Sequence, residues 1–337
     1  MAHTIGLIGA GEIAQIHADL LTQDERVQLT RVFDLQSGRA EATARRFGAQ
    51  PAAGVEQVFE SCEAVYICTP NITHVEIALQ AVEAGKHVFC EKPFAIGLAD
   101  ARRLRDAARK AGVLYQVGHN RRFSPVYQVL KKAIDEGRLT PHSVHARMNR
   151  GELQNPPWVW NSKLTGGFLY ETPVHMFDLM RFFFGDVEWV QVAAHARAHE
   201  GELDDFSILL GFISGLHATM TTYGHATWHF PFERFEVFGH HATYETFEMD
   251  KISFTHGLGT ATTTLTYNQL GRNDCWGYRE EDRLFVDALD GKGPVAVSAE
   301  DGYRAIELIE ACYHSARSGE RVQVARFDAE ALGVRKG

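Results

Sequence analysis

The sequence predicts an α/β protein: a parallel sheet built from βαβ units, then a second region whose sheet is largely antiparallel. Three observations predict it. Up to residue 120, short strand-like runs alternate regularly with helical patterns, which is the signature of βαβ units. Several of those runs, such as Ile5 to Ile8 and Ala64 to Cys68, are continuously apolar, which fits strands covered on both faces. From Ser124 onward, alternating or β-branched runs follow one another across short Gly-containing connections, as antiparallel strands do. A chain of 337 residues is long enough for two domains. The change of texture places them at 1–123 and 124–337.

Taken in order, residues 5–8 (Ile-Gly-Leu-Ile) form the opening strand, and 27–33, 64–68, 87–90 and 114–117 the later ones. Helices are expected over 12–21, 38–47, 74–84 and 98–111. The second region begins with a helix over 124–136, a strand over 144–148 and a helix over 173–184. Strands are expected at 187–196, 206–212, 216–223, 234–238, 243–249 and 261–267, and closing helices at 279–289 and 300–318. No internal repeat or low-complexity linker occurs.

Composition narrows the functions. The formal charge is −9, from 34 basic and 43 acidic residues, which argues against a general phosphate-backbone binder. The five cysteines are odd in number, scattered, and form no CxxC, a pattern of free thiols in a reducing compartment. No apolar run approaches the ~20 residues of a membrane span, and no basic leader precedes the first strand. The expectation is a soluble cytoplasmic protein with neither membrane nor nucleic acid as partner.

The first chemical signal is Gly9-Ala10-Gly11-Glu12-Ile13-Ala14, a G-x-G-x-x-A hexapeptide between a strand and a helix. Gly9 allows the tight turn, Gly11 lets backbone approach a pyrophosphate, and Ala14 lets helix and strand pack closely. The helix start then offers N–H groups and a positive dipole end to the phosphates. Asp34 lies 20 residues beyond Ala14 at the end of the second strand, where a carboxylate bonds an adenosine ribose 2′-OH and repels a 2′-phosphate. The two signals together predict a dinucleotide, with NAD favoured over NADP.

Three further segments follow later strands: Cys68-Thr69-Pro70-Asn71-Ile72-Thr73-His74, Cys90-Glu91-Lys92-Pro93 and Gly118-His119-Asn120-Arg121-Arg122-Phe123. Ligands of open parallel sheets bind outside the carboxyl ends of strands, so all three are expected at the crevice of the Gly9 turn. A lysine held there can stabilise a developing alkoxide or polarise a carbonyl oxygen. The Lys92–Pro93 bond is a candidate for the cis form, which marks tight functional turns. A fourth segment runs from Gly166-Gly167 through Glu171-Thr172-Pro173-Val174-His175 to Asp178. With Thr172 as N-cap and Pro173 at N1, His175 stands in the first helical turn. There the dipole disfavours its protonated form and leaves it available as a base. Asp178 shares its face and is placed to fix its tautomer.

With these segments in order, the sequence resembles the Gfo/Idh/MocA oxidoreductases (glucose–fructose oxidoreductase, inositol dehydrogenase and relatives) over almost its whole length. The endings Phe285-Val286-Asp287-Ala288-Leu289 and Glu300-Asp301-Gly302 are similar in style. The resemblance implies a Rossmann doubly wound parallel sheet, then an α/β domain on an open, mostly antiparallel sheet that mediates homodimers or homotetramers. It implies NAD(P)-dependent oxidation of a secondary alcohol of a sugar or cyclitol, or reduction of the matching ketone. Lys92 and His175 match the family's catalytic lysine and histidine. Thr69, Asn71 and Glu91 match positions near the nicotinamide ribose, and Asn120 and Arg122 border the substrate pocket. Two positions depart from the pattern. Glu171 stands where the dehydrogenases usually carry Asp, keeping a carboxylate one methylene longer. Trp160 is followed by Asn161 where Arg is common, which leaves Lys163 as the nearest cation; Trp160, Lys163 and Asp178 complete the expected substrate side.

Two other readings share the fold: a non-catalytic dinucleotide-sensing regulator, and an NAD-dependent glycosidase active on aryl glycosides without net NADH production. Retention of both Lys92 and His175 favours an enzyme over a sensor, which need not keep both. No metal is expected. His195/His199 and His225/His229 have a spacing that suits zinc only on a helix, and both pairs sit in or beside strand-like sequence. Trp158, Trp160 and Trp228 are either sugar-stacking rings or core residues.

Overall fold

The computed structural model describes residues 2–149, 159, 161–198, 200–227 and 232–324. Strand β1 (His3–Ile8) is fully buried at Ile5, Leu7 and Ile8, so its apolar run has no solvated face to alternate with. Helix α1 (Glu12–Leu21) buries Ala14, His17, Ala18, Leu20 and Leu21, one stripe at helical spacing. Then come β2 (Val27–Phe33), α2 (Ser37–Phe47), β3 (Gln50–Pro51), α3 (Val55–Glu60), β4 (Ala64–Ile67), α4 (His74–Glu83), β5 (His87–Glu91), α5 (Leu98–Ala111) and β6 (Tyr115–Gly118). Among the described residues these strands form one parallel sheet in the order β3-β2-β1-β4-β5-β6. Successive strands are laid down outward from β1 on one side and from β4 on the other. The order therefore reverses between β1 and β4, the place where open α/β sheets bind ligands. The short pieces β3 and α3 lie in a stretch where the sequence pattern predicted no element.

The following stretch contains α6 (Pro125–Asp135), β7 (Ser143–Met148), α7 (Ser162–Thr165), α8 (Val174–Phe184), β8 (Val187–His195), β9 (Asp205–Phe212), β10 (His217–Tyr223), β11 (Glu233–Gly239), β12 (Ala242–Phe247), β13 (Lys251–His256), β14 (Thr263–Thr266) and α9 (Arg272–Cys275). With β15 (Val322–Gln323), the described strands make a second sheet in the order β14-β13-β12-β11-β7-β10-β9-β8-β15. Within it β7 and β10 run parallel, and the other neighbours run antiparallel. Burial alternates along β10, β11 and β12, so one face is packed and the other is not. The packed face carries an aromatic cluster in which Tyr127 of α6 and Phe183 of α8 meet Phe235 of β11 edge-on at 5.8 and 5.5 Å. Strand β13 is an addition to the sequence reading.

The chain then returns. Helix α10 (Tyr278–Leu289) packs on the first sheet, where Phe285 is fully buried and lies edge-on to the stacked pair Tyr66 and Phe89 at 5.6 and 5.8 Å. Two compact units result: 1–120 with 277–303, and 121–276 with 304–337. Helix α11 (Ala299–Ser318) carries the chain from the first to the second. The expected second domain, 124–337, thus differs from the observed unit by residues 121–123, which the unit includes, and by the segment 277–303, which it lacks. That segment's apolar face completes the core of the first sheet, a long-range partnership that local pattern does not encode.

Candidate active site

In the first unit, the turn between β1 and α1 is built as the hexapeptide requires. Gly9 has φ +93°, and a Cβ there would stand 2.4 Å from the Cys68 carbonyl oxygen. Only glycine fits that backbone and that approach. A Cβ on Gly11 would meet no protein atom within 4 Å, so the space above the helix start is open. Gly11 provides no side-chain cap to α1, and the Ala14 side chain is fully buried against the core. Asp34 leaves β2 beside this turn, its carboxylate accepting hydrogen bonds from the Ala10 N–H (2.9 Å) and the Gln36 N–H (2.8 Å). A cavity of about 430 Å³ adjoins the same turn, lined by Ala10, Gly11, Glu12, Gln15, Arg39, Ala42, Thr43 and Arg46. An open helix start, a forced glycine and a fixed carboxylate on the neighbouring strand suit a dinucleotide's diphosphate and ribose. The residues present fit the coenzyme.

The remaining first-unit candidates stand at the ends of neighbouring strands. Thr69 and Asn71 follow β4, Lys92 follows β5, and Asn120 follows β6. The Lys92–Pro93 peptide is cis. Glu91 closes β5, buried, with its Oε2 accepting the Lys92 N–H at 3.1 Å. Two residues to which the sequence reading gave no role tie this edge together. His74, fully buried, places one ring nitrogen 2.9 Å from the Pro93 carbonyl oxygen and the other 2.8 Å from that of Thr69. It thereby links the turns after β4 and β5, and burial lowers its pKa. His17, on the inward stripe of α1, lies between Glu91 and Asp282. A histidine among the apolar inward positions of α1 was the signal available in the sequence.

In the second unit, Asn161 caps α7 by accepting the Lys163 N–H at 3.1 Å, and the Lys163 side chain is exposed. Glu171 is buried at the turn that precedes α8. Helix α8 is assigned from Val174, one residue later than the pattern suggested, and Pro173 in place of Thr172 precedes it. The Thr172 carbonyl accepts the His175 N–H at 3.1 Å, a tightened first turn. His175 is buried in that turn. Asp178 is held by Arg122, with Nε to Oδ2 at 2.8 Å and Nη2 to Oδ1 at 2.5 Å, both groups buried. The two residues expected to border substrate thus form a paired fork within the second unit, which ties Arg122 to the helix that carries His175. Trp160, Trp158, Trp228, His199 and His229 lie outside the described residues.

The five cysteines are free and buried, and burial raises all their pKa values, that of Cys62 to about 11. They pack in the interior, where burial disfavours the reactive thiolate. Among the described residues no helix is long and apolar enough to cross a membrane, and no group of three or more His, Cys, Asp or Glu side chains is placed to hold a metal.

Residues 3–119 match the Gfo/Idh/MocA family described as an oxidoreductase family with an NAD-binding Rossmann fold. Residues 131–324 match that family's C-terminal alpha/beta domain. The inositol 2-dehydrogenase of Rhizobium meliloti (strain 1021) is 28% identical over 334 residues, covering 96% of this chain and 100% of the relative. The scyllo-inositol 2-dehydrogenase (NAD(+)) of Bacillus subtilis (strain 168) is 31% identical over 245 residues, 67% of this chain and 70% of the relative. The crystal structure of GenD2 from gentamicin A biosynthesis, in complex with NAD, is similar with a TM-score of 0.83 at 25% identity, covering 97% of each chain. Two family matches that together span nearly the whole chain, joined to a first unit whose turn fits the coenzyme, make this protein a member of the Gfo/Idh/MocA family of NAD-binding oxidoreductases.

Proposed function

We propose that the protein oxidises a secondary CH–OH of a sugar or cyclitol, or reduces the matching ketone, using NAD in preference to NADP. The observation that carries the reading is the row of residues along one edge of the parallel sheet: the Gly9 turn after β1, Asp34 after β2, Thr69 and Asn71 after β4, and Lys92 after β5. The names of the inositol dehydrogenase relatives support the substrate class.

When bound, the coenzyme supplies the hydride acceptor. The chain's own residues do the rest. The α1 start and Gly11 hold the diphosphate, Asp34 accepts the ribose hydroxyls, and Thr69, Asn71 and Glu91 flank the nicotinamide ribose. The Lys92 ammonium stabilises the negative charge that grows on the substrate oxygen. His175 accepts the hydroxyl proton, and its place in the first turn of α8 favours the neutral imidazole that a base must be. Glu171 binds a neighbouring hydroxyl, Asn120 and Lys163 complete the polar lining, and Arg122 with Asp178 holds the frame.

The test is a panel of inositols, aldoses and sugar acids with NAD or NADP, followed by absorbance of the reduced coenzyme. The expected result is reduction of NAD by at least one cyclitol or sugar, with NADP slower by about tenfold or more. Coenzyme binding with no turnover across the panel overturns the dehydrogenase in favour of a dinucleotide sensor. Release of the aryl group from an aryl glycoside without net NADH points to a glycosidase.

A further inference from the structure

The first unit contains a buried ionic cluster centred on His17, a residue that the proposed chemistry does not use. His17 has no exposed surface. Its Nδ1 lies 2.8 Å from Asp282 Oδ1 on α10, and its Nε2 lies 3.0 Å from Glu91 Oε1 at the end of β5. Both ring nitrogens face carboxylate oxygens; with both carboxylates ionised both nitrogens donate, and the ring that satisfies this is the imidazolium, although burial raises the pKa of Asp282. The Tyr66 hydroxyl of β4 donates to the same Asp282 oxygen at 3.2 Å. The rings of Phe89, Tyr66 and Tyr278 close round the imidazole at 4.9, 5.4 and 5.8 Å. Glu281 is the other buried carboxylate on α10. Across the sheet, a Cβ on Gly118 would stand 3.1 Å from Glu91 Cα and Cδ and 3.2 Å from Oε1; the missing side chain lets Glu91 lie flat over β6.

Two carboxylates facing one imidazolium leave a negative charge, and the Lys92 ammonium, which interacts electrostatically with Glu91, offsets it. Glu91 connects the two cations: Oε1 takes the His17 ring, and Oε2 takes the Lys92 backbone N–H. With its oxygens fixed on opposite sides, the carboxylate cannot rotate without breaking one bond or the other.

We propose that His17 is a positioning residue, an imidazolium gripped by Asp282 and Glu91 that locks the Glu91 carboxylate beneath the Lys92 peptide and so fixes the turn carrying the Lys92 ammonium. The helix that starts at the coenzyme turn, and carries His17 eight residues after Gly9, thereby sets the lysine's place. The functional part of the proposal rests on the reading of Lys92 as catalytic. Burial alone would lower the His17 pKa, but the charges and hydrogen bonds of Asp282 and Glu91 outweigh it and hold the value well above that of an ordinary histidine.

The test begins without coenzyme. In ¹⁵N-labelled protein, the His17 ring is expected to show two protonated nitrogens at pH 7.5, above the usual histidine value of about 6.5; the signals are assigned by their loss in His17→Gln. Exchange of the Lys92 amide hydrogen is expected to quicken about tenfold or more in His17→Gln, while the β1 amides of Leu7 and Ile8 keep their protection. In assays with NAD and whichever cyclitol or sugar is turned over, kcat is expected to fall by up to about 10²-fold through misplacement. KM for NAD should stay near the wild-type value, and adding His17→Gln to Lys92→Met should cost nothing further. Asp282→Asn, which keeps the shape and removes one jaw, is expected to quicken the same amide and serves if His17→Gln does not fold. A ring with one protonated nitrogen at pH 7.5, or an unchanged Lys92 amide in either folded variant, overturns the clamp. Full activity of Lys92→Met overturns the catalytic reading of the lysine instead, and leaves the coenzyme-free measurements to judge the clamp.

Discussion

The Lys92 ammonium and the His175 imidazole differ in what their removal leaves behind. Lys92→Met keeps most of the alkyl stem and removes only the cation, so the loss is electrostatic; kcat is expected to fall about 10²–10³-fold, with the Kd for NADH measured by fluorescence changing little. His175→Ala removes the proton acceptor, and a fall of about 10²–10⁴-fold in kcat is expected, again with NADH binding intact. Unchanged turnover in either variant removes that residue from the mechanism. Asp178 and Arg122 are unsuited to such a test, because removing one partner strands a buried charge at a cost of about 3–5 kcal/mol and confounds catalysis with folding. At this scale the sequence pointed to candidates through near neighbours: Gly9 and Asp34 through their spacing to strand ends, Lys92 through Glu91 and Pro93. It did not disclose His17 or His74. The partners of His17 lie 74 and 265 residues away, and His74 bonds backbone carbonyls that carry no mark of side-chain identity.

The elements divide by how strongly their pattern is punctuated. Helix α1 runs over the residues its apolar stripe and preceding glycines define, Glu12–Leu21. Strand β13 was missed because the hairpin before it turns at Glu248, which adopts φ +52° without a glycine; the expected strand over 243–249 absorbed that turn, and Lys251–His256 went unclaimed. The β1–α1 turn is the opposite case, in which glycine is obligatory, and it yields the prediction for this scale. Gly9→Ala places a methyl group 2.4 Å from the Cys68 carbonyl oxygen at φ +93°. The backbone strain alone is about 1–3 kcal/mol, and relief of the clash must move the turn that receives the diphosphate. Titration with NAD is expected to show affinity at least about tenfold weaker, the equivalent of ~1.4 kcal/mol. Gly11→Ala meets no protein atom and is expected to spare stability while weakening coenzyme binding. Wild-type affinity in both variants would remove the turn from the binding site.

For the molecule as a whole, the decisive fact is that the first unit is not continuous in sequence. Residues 277–303 belong to it, and α10 supplies Phe285, Val286 and Ala288 to its interior together with Asp282, the outer jaw on His17. A fragment ending at residue 123 therefore lacks a wall of its own core. Removing a buried Phe side chain alone costs about 3–5 kcal/mol, and a whole domain is stable by only about 5–15 kcal/mol. Loss of the helix also exposes the stacked pair Tyr66 and Phe89 and leaves His17 facing a single carboxylate. The fragment 1–123 is expected to bind a hydrophobic dye, to unfold in urea without a sharp transition, and to bind NAD weakly or not at all. A chain in which residues 1–120 are joined to 277–303 by a flexible Gly/Ser linker of about 20 residues, spanning roughly 25 Å, restores the helix without the second unit. It is expected to recover a cooperative urea transition and NAD binding. Equal urea midpoints for the two fragments would show that α10 is dispensable to the first unit. A sharp transition in the joined fragment alone would show that the coenzyme domain is completed only after the chain has passed through the other unit and come back.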